Sequence, residues 1–243
     1  KLFLWAKGGK KVDDMEYKVI ENRYVGEGMY YIKIGGSFEA KMGQFYMLRA
    51  WDKFPLLSRP ISIYQIDDEG ISFLYKKVGQ GTQIISQLRE GDPIKLEGPY
   101  GNGFEKVEGR VALVGGGIGI APLYMVAQNI PNCDIYLGFR DQAIMLDDYR
   151  SVCKDLYTTS GDTLITDILN VEDYDYILTC GPTPMMKKLM EMVEGTKTRI
   201  QVSLENHMAC GVGACLVCTC KTKSGNKKTC KDGPVFWGED VIL

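Results

Sequence analysis

The 243-residue chain holds a single histidine, His207, and no apolar run that approaches a membrane span. A bilayer-crossing helix needs about 20 apolar residues in succession, so a transmembrane helix is excluded. Charge of one sign is also missing. Against 31 Asp and Glu stand 29 Lys and Arg, for a net charge of −2. Such a balance gives no general attraction for nucleic acid or an anionic membrane. A Rieske cluster needs two histidines, which leaves His207 a surface or packing role. Residues 1–11 have a basic flavour, but their apolar core is too short for a signal peptide. Residues 1–14 therefore read as a leader or a remnant of expression, without function. With no secretion signal, disulfides are not expected, and the chain is expected in the cytoplasm.

Cysteine is abundant by contrast, with eight residues. Cys210, Cys215 and Cys218 are separated by four and two residues, and Cys230 follows after eleven more. This is the plant-type spacing for a [2Fe–2S] cluster. A flat two-iron rhomb needs two thiolates per iron, so a tight loop wraps it and a later segment brings the last ligand. Gly211 and Gly213 suit that loop, because backbone curling around inorganic sulfide needs positive φ and close approach. A four-cysteine zinc site usually shows two paired knuckles, and only the first half is paired here. Cys220 leaves an alternative open. In an extended segment it shares a face with Cys218, so it either replaces Cys218 as ligand or packs nearby. The expected ligands are Cys210, Cys215, Cys218 and Cys230.

From about residue 17 to 97 short β-type runs alternate with turn signals, clearest at 30–34, 45–49, 61–64 and 71–75. Strands at this spacing predict an antiparallel barrel. A helix is expected over 82–88, with Thr82 as its N-cap. Two features here are chemical. Arg59-Pro60-Ile61-Ser62 sets a guanidinium at a strand start. Gly79-Gln80-Gly81-Thr82 is a glycine loop opening a helix, a candidate phosphate cradle of backbone N–H groups. Each alone is usually just a strand end or a turn. Together, ahead of a nucleotide-type domain, they favour a flavin diphosphate paired with the arginine fork.

The pattern changes at Gly109. Residues 110–114 read as a buried parallel strand running into Gly115, Gly116, Gly117, Ile118, Gly119, Ile120, Ala121 and Pro122, then a helix. Strand, glycine turn and helix are the context of a dinucleotide site. The usual G-x-G-x-x-G spacing fails, because Pro122 takes the place of the last glycine, although proline is acceptable in a first helical turn. A pyridine nucleotide is expected with its pyrophosphate over this turn. A second strand is expected at 134–139 and a helix over 143–153. A further strand, 176–180, ends in Cys180-Gly181-Pro182 before a helix over 183–193. Met185, Met186, Leu189, Met190 and Val193 fall at helical spacing and read as core. Ligands gather at the carboxyl ends of such strands, so Gly117, Arg140 and the 180–182 turn should face one crevice. Arg140 suits a 2′-phosphate and Asp141 a free ribose, which leaves NAD or NADP open. Cys180 is either an inert core thiol or a neighbour of the nicotinamide.

Taken together, residues 59–62, 115–122, 180–182 and the cysteine loop resemble the ferredoxin–NADP reductase superfamily with an appended [2Fe–2S] domain. Within it, residues 208–215 and 230–236 are most similar to the electron-transfer subunits of bacterial NAD-dependent dihydroorotate dehydrogenases. Residues 98–104 look like that family's hinge between barrel and nucleotide domain. The resemblance covers nearly all of 17–243. It implies three domains: an antiparallel β-barrel FAD domain (15–105), an α/β parallel-sheet NAD domain (106–204) and a small C-terminal [2Fe–2S] domain (205–243). It implies FAD with Arg59 on the diphosphate, Pro60, Ile61 and Ser62 beside the isoalloxazine, and Gly81 and Thr82 near the phosphates. It implies NAD(H) over Gly117 and at Cys180 and Gly181. It further implies a partner catalytic subunit that carries FMN and oxidises dihydroorotate to orotate in pyrimidine (UMP) synthesis, in a heterotetramer of two subunits of each kind. Electrons would pass from partner FMN through the cluster and FAD to NAD⁺. One departure stands out: residues 157–163 are shorter and altered where the family carries a loop after a third strand that helps surround the nucleotide.

The expected activity is thus that of an oxidoreductase subunit that does not itself oxidise dihydroorotate. The alternative is an independent NAD(P)H:acceptor reductase. A cysteine-based redox sensor is a third reading, but it requires neither the Arg59 motif nor the 115–122 loop.

Overall fold

The computed structural model describes residues 16–243. The expected leader, 1–14, lies outside the described residues. Six antiparallel strands close a barrel: β1 (Glu16–Gly26), β2 (Met29–Gly35), β3 (Phe45–Arg49), β4 (Arg59–Ile66), β5 (Gly70–Lys76) and β6 (Pro93–Tyr100). Their spatial order is β1-β2-β5-β4-β3-β6. The strands are rich in β-branched and aromatic residues, and Ile32, Ile34, Ile63, Ile71 and Phe73 are fully buried in the core. Each such side chain stabilises the fold by ~1.5–3 kcal/mol. Closure leaves no unpaired sheet edge.

Between β5 and β6 lies a short helix, α1 (Gln80–Ile85). It begins two residues before the expected start, and Thr82 is not its N-cap. Gly79 takes that place. The Thr82 hydroxyl sits one turn in and reaches back, accepting the N–H groups of Val78 (3.0 Å) and Gly79 (3.1 Å).

The second domain is a sheet of order β14-β11-β10-β7-β8-β9. Its strands are β7 (Val111–Gly116), β8 (Asp134–Gly138), β9 (Leu156–Thr159), β10 (Tyr176–Cys180), β11 (Arg199–Ser203) and β14 (Val235–Trp237). All pairs are parallel except β11 with β14. Every residue of β7 is buried, as expected of a parallel strand covered on both faces. Helix α2 (Ala121–Asn129) covers one face and α4 (Thr183–Val193) the other. Of the apolar stripe on α4, Met186 and Leu189 are buried and the rest are half-buried.

Two expectations are corrected here. The helix expected over 143–153 shrinks to α3 (Leu146–Arg150). Met145 turns left-handed at φ 58°, and the preceding loop is tied down by Glu27, which accepts the N–H groups of Asp141 (2.8 Å) and Gln142 (2.6 Å). The segment read as an altered loop begins with β9, a genuine third strand paired with β8. Only four residues long, it was too short to show a period.

The cysteine-bearing segment forms a three-stranded sheet of β12 (Thr219–Thr222), β13 (Gly225–Lys228) and β15 (Val241–Ile242). Strand β14 leaves this unit and extends the nucleotide sheet. The stretch expected as one cluster domain is therefore sewn into its neighbour. Asn102 completes the junction. Its side-chain amide donates to the carbonyls of Lys231 (3.3 Å) and Asp232 (3.1 Å). The 98–104 segment thus joins all three units rather than two.

Candidate functional site

Arg59 opens β4, and Gly81 lies in the first turn of α1, twenty-two positions later. The fold brings them into contact. A Cβ at position 81 would lie 2.5 Å from Nε and 2.6 Å from Cζ of Arg59. Two weak sequence signals therefore form one corner. The Arg59 guanidinium also lies 5.3 Å from the Trp51 ring centroid, with Arg49 at 5.5 Å from the same ring. Burial, and then the charge of Arg49, lower the pKa of Arg59, the reverse of what a carboxylate partner would do. A polyanion fits such a corner, because the planar fork, which donates to the Leu57 carbonyl through one nitrogen, stands beside a second cation. Thr82 departs from its expected place. It is buried, and its hydroxyl also donates to the Gly79 carbonyl (3.0 Å). The first-turn N–H groups of α1, which lack intrahelical partners, are the donors that remain for a phosphate. Pro60, Ile61 and Ser62 follow on β4, all half-buried and paired with β3.

The second cradle sits where β7 and β10 end side by side. Gly115 and Gly116 close β7. Gly117 (φ +56°) then opens a single 3-10 turn, Gly117–Ile120. At Gly119 a Cβ would lie 2.4 Å from the Cys180 carbonyl oxygen, and at Gly116 it would lie 2.9 Å from Pro182. At Gly181 (φ +155°) it would lie 3.0 Å from the backbone nitrogen of Gly116. These glycines let the two turns touch. Gly117 itself has nothing within 4 Å of a built Cβ, so its backbone faces open space, as close approach of a pyrophosphate requires. Arg140 follows the adjacent β8 and is exposed, its carbonyl accepting the N–H of Gly161 (2.9 Å). It stands one strand further out than the two touching turns.

Cys180 is buried, with Sγ 3.7 Å from the Glu205 carboxyl. Burial, then Glu205, push its thiol pKa well up, so it is a neutral thiol and no nucleophile. Glu205 is exposed as a residue, while its carboxyl reaches inward to the Cys180 thiol. Burial raises its pKa, and the Cys180 contact partly opposes that. Sequence reading passed over Glu205. The available signal was an acid two residues past a buried strand.

The cysteine loop brings its thiols together in two pairs, Cys210 with Cys215 and Cys218 with Cys230. Among the described residues no three His, Cys, Asp or Glu side chains converge as a single ion would need. Backbone N–H groups point at the sulfurs: Gly213 to Cys230 (3.1 Å), Ala214 to Cys210 (3.3 Å) and Cys230 to Cys218 (3.4 Å). Two pairs of thiols with amide donors are the donor set a [2Fe–2S] cluster requires. Desolvation opposes the Cys210 thiolate, but the N–H groups of Cys215, Val212 and Ala214 bring its pKa down to about 6. Desolvation and Cys218 push Cys230 up to about 12. Cys218 and Cys220 do not share a face. Cys218 precedes β12 and packs with Phe45, Met47 and Cys230. Cys220 lies in β12, meets Thr229 and packs on the α4 side.

The loop is docked on the barrel. Phe45 and Met47 of β3 join Cys218 and Cys230 in one small core, edged by Tyr100 and Met208. Met47 is the strand partner of Pro60. A single strand therefore separates the cysteine loop from residues 59–62.

A closed antiparallel barrel with an anion corner, a parallel sheet with a glycine-lined crevice and a docked four-cysteine loop define a reductase of the ferredoxin–NADP reductase fold with an iron–sulfur domain. The fold is shared with ferredoxin–NADP⁺ reductase of Plasmodium falciparum (TM-score 0.62, 15% identity, 77% of this chain and 95% of that one). The NADH-dependent reduced ferredoxin–NADP oxidoreductase studied for flavin-based electron bifurcation aligns further, at TM-score 0.84, 31% identity, 97% of this chain and 91% of that one. The family model described as the iron–sulfur cluster binding domain of dihydroorotate dehydrogenase B matches residues 205–242. The electron transfer subunit of dihydroorotate dehydrogenase B (NAD(+)) from Clostridium acetobutylicum is 50% identical, covering 93% of this chain and 96% of its own. That of Clostridium perfringens is 44% identical, with 93% and 98% covered. The chain belongs to the family of dihydroorotate dehydrogenase B (NAD(+)) electron transfer subunits.

Proposed function

We propose that this chain carries electrons between a catalytic partner and NAD⁺, with FAD at the Arg59–Gly81 corner, NAD at the 115–119 and 180–182 turns, and a [2Fe–2S] cluster on Cys210, Cys215, Cys218 and Cys230. The chain is the electron transfer subunit of an oxidoreductase. FAD held there would supply hydride exchange with nicotinamide and one-electron exchange with the cluster. The chain's own residues do the rest. Arg59 neutralises and orients the diphosphate. The Gly117 turn offers backbone to the pyrophosphate, and Cys180 ends its strand as a neutral, buried thiol beside Glu205. The observation that carries this reading is the docking of the cysteine loop on β3, next to the strand that holds residues 59–62.

The partner we infer is an FMN-containing dihydroorotate dehydrogenase subunit, in a heterotetramer of two subunits of each kind. Val212, Leu216 and Val217, exposed on the cysteine loop, support docking there. No described helix is long and apolar enough to cross a membrane. All eight cysteines are unpaired, which supports a cytoplasmic setting. Co-expression with an FMN subunit should give dihydroorotate-dependent NAD⁺ reduction under anaerobic conditions, while the chain alone gives none. Dihydroorotate oxidation by the chain alone would refute the two-subunit reading. The likeness to the NADH-dependent reduced ferredoxin–NADP oxidoreductase favours a second reading, a reductase subunit serving another acceptor. Reduction of ferredoxin in place of dihydroorotate-linked activity would select it.

A further inference from the structure

The flavin corner and the nucleotide crevice belong to different domains, so the gap between them is set by how those domains seat. That seat is built from three tyrosines. Within β4 the pairing to β5 slips between Ile63 and Gln65, and Tyr64 is the extra residue. A bulge re-aims a side chain. Here Ile63 and Tyr64 are adjacent yet both buried, Ile63 in the barrel core and Tyr64 against the nucleotide domain. The Tyr64 ring stacks on Tyr124 of α2 at 4.5 Å and 9°. Tyr149 of α3 meets both rings edge-on, at 6.3 Å from Tyr64 and 5.6 Å from Tyr124.

The hydroxyls extend the seam in both directions. Tyr64 donates to Asp148 (2.7 Å). Tyr149, fully buried, donates to the carbonyl of Ile120 (2.7 Å), the last residue of the Gly117–Ile120 turn. Desolvation pushes both phenols well above their ordinary range, so both stay donors wherever the protein is folded. An unbroken path therefore runs from Ser62, two residues before Tyr64, through the stacked rings to the underside of the nucleotide turn. Aromatic pairs of this geometry attract beyond what burial alone supplies. The path's value lies in geometry as well, because reacting atoms must be held about 3–3.5 Å apart and a misplacement of about 1 Å can cost ~100-fold in rate.

We propose that Tyr149, with Tyr64, is a positioning residue for hydride transfer: its hydroxyl on Ile120 and its ring on Tyr64 tie the nucleotide turn to the flavin strand and fix the gap between the two sites. This rests on the function proposed above. Neither tyrosine touches the reacting atoms; both act through the elements they join.

The test uses the full chain as purified, in the variants Tyr149→Phe and Tyr64→Phe, which lose only a hydroxyl. Three readouts are taken: the limiting rate of flavin bleaching by NADH in anaerobic stopped flow, the Kd for NAD⁺, and hydrogen exchange of the amides at 117–123. In Tyr149→Phe the limiting rate is expected to fall about tenfold, within the ~100-fold that a 1 Å shift brings. Exchange at 117–123 should quicken, and Kd should change less than about threefold. In Tyr64→Phe the rate should also fall, with exchange at 117–123 unchanged. FAD and iron content should match the unaltered protein in both. Unaltered limiting rates in both variants overturn the inference, as does a loss confined to Kd. Should Tyr149→Phe lose its FAD, Tyr64→Phe decides alone, by the same rate criterion. Failure of NADH to bleach the unaltered protein would instead refute the functional reading and the inference with it.

Discussion

The guanidinium of Arg59 rests on the α-carbon of Gly81, so closely that a Cβ there would sit 2.5 Å from Nε. Gly81→Ala must therefore displace the fork from the corner proposed for the diphosphate. The expected result is weakened FAD binding by about tenfold or more, equivalent to ~1.4 kcal/mol, with the barrel still folded. Arg59→Lys should weaken it as well, since a point charge cannot replace the planar fork. Flavin release during gel filtration, read by absorbance, checks both. Stoichiometric flavin in Gly81→Ala would refute the corner.

Cys215→Ser should abolish the cluster, while Cys220→Ser should keep about two iron and two labile sulfides per chain. Cys220 meets Thr229 and packs in a different apolar cluster from Cys218 and Cys230. Iron and sulfide analysis with the visible spectrum decides it, and the reverse pattern would reassign the ligands.

The order of these elements was legible in sequence wherever a signal was local. Strand β10 and helix α4 were read to the residue, because a buried apolar run and a 3.6-residue stripe each lie within one window. The iron–sulfur domain was legible from cysteine spacing. What sequence hid was contact. Arg59 and Gly81 each looked bland until the barrel closed and brought them together. Glu205 became visible only when β11 lay beside β10. Strand β14, three residues long, had no period to read, and the Tyr64 bulge exists only as a slip between two strands.

Glu205 provides a pH signature. Its folded pKa is raised above the ordinary value of 4.5, so the folded state binds a proton that the unfolded state has released. Stability from this group is full below about 4.5 and falls as pH rises through the folded pKa. Glu205→Gln removes that fall. Its melting temperature relative to the unaltered protein should increase as pH rises across the window. The effect should be modest, since the residue is exposed. A Tm difference that does not vary with pH would place the carboxyl at its ordinary pKa.

Leu216→Glu puts a charge on the exposed apolar tip of the cysteine loop, where Leu216 is 63% exposed. Co-purification with the catalytic subunit should drop at least tenfold, with iron content and NADH-driven flavin bleaching retained. Undiminished co-purification would move the docking face elsewhere.

In the proposed function, flavin and cluster communicate within one chain across strand β3. The most direct measurement mixes the anaerobic, cluster-loaded chain with NADH and follows the flavin by absorbance and the cluster by freeze-quench electron paramagnetic resonance. Flavin bleaching should come first and a reduced-cluster signal follow, and that signal should be absent from an FAD-depleted Arg59→Ala protein with intact cluster. A flavin that bleaches while the intact cluster never changes, or a cluster reduced equally fast without FAD, would contradict it.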